Sequence, residues 1–302
     1  MNNKYLITVV GATAIGKTAL SIKLAQHFNA EIISCDSRQF YKEMKIGTAV
    51  PTDDELAAAK HHFIQNRSIF DDYSVGQFEK DALAKLKELF LNNDVIIMVG
   101  GSGLYTNSVI KGLDYFPEVD SKIRADLNQQ IEDGNIESLQ NQLKELDPES
   151  YQTIEIENPH RLIRALEICI GTGKPYSSFK NKNKEERNFT PIMVGLSSDR
   201  ELMYNRINQR VDIMIKEGLI EEAKKLYKHK NLNALQTVGY RELFNYFDGN
   251  GTLEFAIKEI KKNTRRFAKR QVTWNKKDTS IHWFDFKDEI SNITDKMKDL
   301  MS

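Results

Sequence analysis

Residues 6–18 read Leu6-Ile7-Thr8-Val9-Val10-Gly11-Ala12-Thr13-Ala14-Ile15-Gly16-Lys17-Thr18. The first five form a buried-strand pattern, and 11–18 satisfy G-x-x-x-x-G-K-[ST] at every fixed position. Leu20, Leu24 and Phe28 then recur at helical spacing, which predicts a helix over 17–28. A strand, a glycine loop and a helix start in this order aim successive backbone N–H groups and the helix dipole at an anion. Lys17 adds a point charge, and the Thr18 hydroxyl is suited to ligate Mg²⁺. The loop therefore calls for a di- or triphosphate without saying which.

Outward from this loop the same alternation continues. Residues 31–35 read as a second strand, 75–91 as a helix with Phe78, Ala82, Leu86, Leu89 and Phe90 on its apolar side, and 94–99 as a further buried strand. Apolar, β-branched strands separated by helices indicate a parallel sheet covered on both faces. From 114 to 187 the pattern changes to short helical stretches punctuated by Pro117, Gly134, Pro148, Pro159 and Gly171–Pro175, with a polar linker at 181–188. Residues 191–196 resume strand character. Helices follow near 200–216, 220–228, 239–246 and 252–274, then a short strand at 281–284 and a terminal amphipathic helix. The expected fold is α/β: a P-loop NTPase-like parallel sheet covered by helices (1–113 and 188–302), an all-helical insertion at 114–187, and a helical C-terminal part.

Composition narrows the class. In 302 residues, 43 basic and 43 acidic side chains cancel, and 40% hydrophobic content leaves ample material for a core, which excludes disorder across the chain. The longest apolar run is Val95-Ile96-Ile97-Met98-Val99, far short of the ~20 residues of a membrane span. The N-terminus enters a strand without a cleavage-site pattern, so no signal peptide is expected. Cys35 and Cys169 lie apart and outside any CxxC, which excludes a disulfide framework or a zinc ribbon. A cytoplasmic protein is expected, with any nucleic-acid affinity confined to local basic patches.

Several residues carry chemistry in this frame. Ligands in open α/β sheets bind at the carboxyl ends of strands, so Asp36 should face the same crevice as Lys17. A carboxylate there is suited to accept a proton, and an N-cap is its rival role. Gly100-Gly101-Ser102-Gly103 should bring a hydroxyl to the same crevice, or serve as a plain glycine turn. His61 and His62, being adjacent, should point apart and play a structural part. Between Lys258 and Lys277 nine Lys or Arg stand against one acid, with Phe267 and Trp274 among them, which suits a phosphate backbone better than a merely solvated face. The insertion carries 15 acids against ten bases, so any nucleic-acid contact must use particular residues. Arg161 and Arg164 are candidates, with pairing to Glu157 or Glu167 as the alternative.

The segments GATAIGKT, EIISCDSRQFYKEMKIGTA, HHFI, VGGSGLY, LDPES…NPHRLIRALEICIGTGKP, QTVGYRE and TRRFAKRQVTW together resemble the bacterial tRNA dimethylallyltransferases, in order from about residue 6 to 275. The resemblance implies that Gly11, Ala12, Thr13, Ala14, Ile15, Gly16, Lys17 and Thr18 hold the pyrophosphate of dimethylallyl diphosphate instead of ATP, with Thr18 on Mg²⁺. The prenyl group would go to N6 of the adenosine on the 3′ side of the anticodon. Asp36 would be the general base, Ser102 would stand where the family usually has Thr, near the oxygen linking isoprenoid and diphosphate, and Arg206 or Arg210 would help neutralise the diphosphate. Asp36, Ser37, Arg38, Gln39 and Ser102, Arg124, the run His160-Arg161-Leu162-Ile163-Arg164, the run Gln236-Thr237-Val238-Gly239-Tyr240-Arg241, and Lys269, Arg270, Gln271 and Lys276 match tRNA-contacting positions. A monomer acting on the tRNA anticodon stem-loop, with no membrane association, is expected.

The chain departs from the family pattern in places. Ala12 replaces the usual Pro and Ile15 a small residue, which would loosen the loop and add bulk near the phosphates. Asn275 and Lys277 also differ, and the zinc finger of eukaryotic relatives is excluded by the cysteine count. Two other functions fit part of the sequence. A small-molecule kinase would use the P-loop and Asp36 equally well but leaves the insertion and the basic stretch unexplained. A noncatalytic nucleotide-dependent RNA-binding switch would make Asp36 and Ser102 accidental.

Overall fold

The computed structural model describes residues 4–180 and 186–302; most of the polar linker read at 181–188 lies outside the described residues. The chain divides into two compact units, residues 1–111 with 187–302, and 112–186. The sequence reading placed the divisions at 113/114 and 187/188.

In the larger unit the elements run β1 (Tyr5–Gly11), α1 (Lys17–Phe28), β2 (Ile32–Ser34), α2 (Asp53–Ala58), β3 (His61–His62), α3 (Val75–Leu89), β4 (Val95–Val99) and α4 (Gly103–Lys111). The insertion contributes α5 (Ser121–Glu132), α6 (Ile136–Leu146), α7 (Pro148–Thr153) and α8 (Pro159–Thr172). The larger unit resumes with β5 (Thr190–Ser197), α9 (Arg200–Lys216), α10 (Leu219–Leu226), α11 (Tyr240–Phe247), α12 (Leu253–Asn275), β6 (Ile281–Asp285) and α13 (Ile290–Met301). Two of these elements are absent from the sequence reading. Helix α2 has a local signal, the Thr52/Glu55 capping box, whose side chains bond each other's backbone amides. Strand β3 has only two residues, too few to show a period.

Among the described residues six strands form one sheet in the order β3-β2-β4-β1-β5-β6, with every pairing parallel. Side-chain alternation divides the core. Ile7, Val9, Ile97, Val99, Ile192 and Val194 point to one face and pack with Leu20, Leu24, Ile293 and Met297 of α1 and α13. Leu6, Ile33, Ile96 and Met98 point to the other, against Phe78, Ala82 and Leu86 of α3 and Val109 of α4. Register then fixes where the connecting loops emerge. Val99 pairs with both Val9 and Ser34, so these positions of β1, β2 and β4 lie in one row, with β2 and β4 ending there. Two residues further on, Gly11, the last residue of β1, and the loop residues Asp36 and Gly101 stand at the same edge of the sheet.

A second cluster in this unit joins Met44, Val211, Leu219, Leu235, Tyr240, Leu243, Phe244, Ala256 and Ile260, packing α9 to α12 together. On α12 the inward stripe is Ala256, Ile260, Ala268 and Gln271, while Lys269, Arg270 and Lys276 are exposed. The insertion has its own core of Leu127, Leu139, Leu143, Leu162, Ile163 and Leu166, and no strand occurs among its described residues. No helix among the described residues is long and apolar enough to cross a membrane.

Candidate active site

The glycine loop turns on backbone angles that few residues adopt freely. Gly16 sits at φ 111° and Ala14 at φ 63°, the latter a left-handed conformation that costs a non-glycine residue of order 1 kcal/mol. Gly11, at φ 145°, also lies so close to β5 that a Cβ would come within 2.8 Å of the Leu196 carbonyl oxygen. No side chain caps α1 at Gly16, so its first-turn amides remain aimed at the loop. Lys17 Nζ donates to the Ala12 carbonyl at 2.9 Å, and Arg206 Nε donates to the Ala14 carbonyl at 2.8 Å. Arg206 of α9 thereby braces the strained residue.

The expectation that Ile15 adds bulk near the phosphates is corrected by its position. Ile15 is 1% exposed and belongs to the sheet core, so its bulk fills the protein interior and does not crowd the phosphates. Ala12 is likewise buried, against Met203, Ile207 and Ala268. With Gly11 they shape the loop from behind.

A cleft of about 1010 Å³ opens over this loop. Its walls include Thr13, Ala14, Gly16, Lys17 and Thr18; Asp36, Ser37, Arg38 and Gln39; Ser102; Arg206 and Arg210; Gln236, Thr237, Val238, Gly239 and Arg241; and Arg270, Gln271 and Trp274. Asp36 is not a helix N-cap, because residues 37–40 form a turn and no helix follows. Its Oδ1 accepts the Arg38 amide at 3.0 Å, which holds the carboxylate at the mouth of β2. Ser102 Oγ accepts the Ser37 amide at 3.2 Å and lies 3.0 Å from Ser37 Oγ, so the two loops share a hydroxyl pair.

Burial in the cleft wall lowers the Lys17 pKa to about 8, against the opposing pull of Asp36. Burial also lowers the pKa of Arg210, which faces Asp36 and Arg206. Arg206 is held by the loop carbonyl and lies over the Phe286 ring at 5.2 Å. Cys35, immediately before Asp36, is no nucleophile: burial pushes its thiol up to about 12, and its Sγ rests 3.3 Å from Thr106 Oγ1.

Other expected site residues lie elsewhere. Leu162 and Ile163 are buried in the insertion core and Tyr240 in the second cluster, where their side chains have no access to a partner; these three are corrected from contact residues to core residues. Arg124 Nε and Nη2 reach Glu167 at 2.5 and 2.7 Å, and Arg164 pairs with the same carboxylate. Of the two carboxylates considered from sequence for Arg161 and Arg164, Glu167 pairs with Arg164, whereas Arg161 pairs with Glu155 at 3.2 Å. His160 is exposed. Gln271, matched from sequence to a tRNA-contacting position, is 8% exposed and lines the cleft wall. His61 and His62 diverge as expected, Nδ1 of one lying 2.7 Å from the Ala59 carbonyl and Nε2 of the other 2.6 Å from Glu31.

Among the described residues no three His, Cys, Asp or Glu side chains cluster as a metal site. The cleft offers the Thr18 hydroxyl, a single protein ligand of the kind that suits Mg²⁺ carried largely by phosphate oxygens and water.

Fold and cleft together define a P-loop α/β protein with the Asp36 carboxylate, the Lys17, Arg206 and Arg210 cations and the Ser102 hydroxyl gathered around a phosphate-type loop. The sequence pattern of the IPP transferase family matches residues 39–278. The chain is 63% identical to a tRNA dimethylallyltransferase of Flavobacterium johnsoniae over 96% of both chains, and 64% identical to that of Christiangramia forsetii over 97% of both. Its fold matches a tRNA isopentenylpyrophosphate transferase of Bacillus halodurans with a TM-score of 0.74 at 37% identity, covering 99% of this chain and 97% of the other. A eukaryotic dimethylallyltransferase acting on tRNA aligns with a TM-score of 0.78 at 28% identity, covering 94% and 74%. The chain belongs to the IPP transferase family of tRNA dimethylallyltransferases.

Proposed function

We propose that the chain transfers the dimethylallyl group of dimethylallyl diphosphate to N6 of the adenosine 3′-adjacent to the anticodon, releasing diphosphate. The reading rests on one observation: Asp36, Ser102, Lys17 and Arg210 face a single cleft whose rim is the basic helix α12. In this reaction the N6–C1 bond forms as the C1–O bond breaks, and the electron pair leaves on the diphosphate. The leaving group's charge is met by loop amides, Lys17 and Arg210, while Arg206 keeps the loop in shape. Mg²⁺, held by Thr18 and the diphosphate, would supply further charge neutralisation. The adenine amine is a poor nucleophile because its lone pair is delocalised into the ring. Asp36 accepts its proton as it attacks, and the Ser102 hydroxyl donates toward the oxygen of the breaking bond.

The base must leave the anticodon-loop stack, which costs a few kcal/mol offset by contacts elsewhere. Exposed Lys269, Arg270 and Lys276 supply phosphate contacts of that kind, and the exposed Arg124, His160 and Arg161 of the insertion are the candidates in the other unit. Such an enzyme acts in the cytoplasm, as a monomer. Incubation of unmodified tRNA with labelled dimethylallyl diphosphate and Mg²⁺ should label the tRNA without ATP. Phosphate transfer from ATP to a small alcohol, with no labelled tRNA, would overturn the reading in favour of a kinase.

A further inference from the structure

Gln271 makes two hydrogen bonds that join parts of the site distant in sequence. Its Oε1 accepts the Thr13 amide of the phosphate loop at 2.8 Å, and its Nε2 donates to the Gly101 carbonyl at 2.8 Å. One amide side chain uses its acceptor on one donor-site loop and its donor on the other. The approach is built into the second loop. A Cβ on Gly101 would come within 2.4 Å of Gln271 Nε2, and one on Gly103 within 2.2 Å of Trp274 Nε1. Gly101 and Gly103 do not have left-handed backbones, so what they provide is room for α12. Gly101 also borders Asp36, whose Oδ2 would lie 3.7 Å from that same Cβ. Ser102, the next residue, holds the Ser37 amide.

We propose that Gln271 is a positioning residue that straps the phosphate loop to the Gly101–Ser102 loop. It fixes the diphosphate cradle relative to Asp36 and Ser102, and ties both to the helix that carries the basic face. The inference rests on the proposed prenyl transfer, which gives the alignment its purpose. The side chain is buried, and it commits its acceptor to Thr13 and one of its N–H donors to Gly101. Its neighbours Lys269 and Arg270 are exposed, Arg270 at the cleft wall, so the helix serves both substrates. A strap of this kind affects the rate more than binding, because misplacing reacting groups by about 1 Å can cost 10²-fold.

The test uses the full chain with Gln271→Met, similar in length but without hydrogen-bonding groups, and Gln271→Glu, which keeps the acceptor for Thr13 and loses the donor to Gly101 when ionised. Single-turnover transfer at saturating tRNA and dimethylallyl diphosphate should fall on the order of 10–10²-fold in Gln271→Met, with tRNA KM within about twofold of wild type. In Gln271→Glu the ratio of variant to wild-type rate should rise as pH falls, since a protonated carboxyl restores a donor. Amide hydrogen exchange, which needs no activity, should quicken at Thr13 in Gln271→Met while exchange along α12 stays slow. Wild-type rate in both variants, or a loss confined to tRNA KM, would overturn the proposal. If the wild-type chain transfers no prenyl group, the function fails, and unchanged Thr13 exchange would then refute the strap by itself. Should Gln271→Met melt early, Gln271→Glu carries the test through its pH-dependent rate ratio.

Discussion

Asp36 sits in a turn that asks only for a side-chain acceptor, which the Arg38 amide uses at 3.0 Å. Asn supplies the same Oδ1, so Asp36→Asn should preserve the turn, the melting temperature and tRNA binding. It cannot take a proton, and single-turnover transfer should fall about 10²–10⁴-fold. Unchanged turnover would remove Asp36 as the base, and lost tRNA binding would make it a recognition residue. Lys17 gives a pH prediction. Its pKa is lowered to about 8 from an ordinary 10.5, so between those values the unfolded chain binds more protons than the folded one. Stability should therefore gain from this group as pH rises across that window, its full penalty being present below 8. Diphosphate affinity should run the other way, weakening as the ammonium loses its proton above pH 8. A titration from pH 7 to 9.5 should show that break in wild type and not in Lys17→Arg, which stays charged; parallel curves would refute it. The glycines of 100–103 give the residue-scale lesson. Their spacing is legible, yet whether they serve φ or proximity is settled by what packs on them, Cys35 at Gly100, Gln271 at Gly101 and Trp274 at Gly103.

Helix α12 shows how far one element can be read. Its basic excess and apolar period are visible in the sequence, and Ala256, Ile260 and Ala268 do face inward. The helix is nonetheless not uniformly free to bind phosphates. Lys261 pairs with Asp212 at 2.6 Å, Lys262 with Glu259 at 2.7 Å, and Arg265 donates to Asn208 at 2.6 Å. Lys269, Arg270 and Lys276 are exposed, Arg270 at the wall of the cleft. Replacing those three with Ala should raise tRNA KM and reduce the slope of log K against log salt by about 0.7–0.9 per lost phosphate contact. Donor affinity should be nearly unchanged. A variant with the original salt slope would show the face to be only solvated. Helix α2 is the opposite case: its Thr52–Glu55 capping box is a readable local signal in a stretch without an apolar period.

At the scale of the molecule, one carboxylate illustrates what joins the larger unit. Glu222 of α10 accepts the amides of Lys45, Ile46 and Gly47 at 2.8–2.9 Å and the Tyr240 hydroxyl at 2.6 Å. The fit is close, since a Cβ on Gly47 would come within 2.6 Å of the Tyr240 ring. Glu222→Ala would orphan the Tyr240 hydroxyl and the part-buried Ile46 and Gly47 amides, at a cost of about 1–3 kcal/mol for each donor left buried and unpaired, while the exposed Lys45 amide turns to water. The melting temperature should drop by several degrees, with Glu222→Gln intermediate; equal melting of all three proteins would show the staple to be idle. Such contacts divide what could be read from what could not. The sequence by itself determined the strand–loop–helix phosphate motif, the parallel sheet, the helical insertion and the basic helix, because each rests on periodicity or on glycine spacing within a few residues. The tertiary structure alone decided that Ile15, Leu162, Ile163 and Tyr240 are core, that Arg206 braces the loop while Arg210 faces Asp36, and that Gln271 turns inward. Thr13 and Gln271 are 258 residues apart, and Gly101 and Gln271 are 170 apart. No local period encodes which side chain will meet which loop at that separation; strand register and the packing of α12 over the strand ends bring them together.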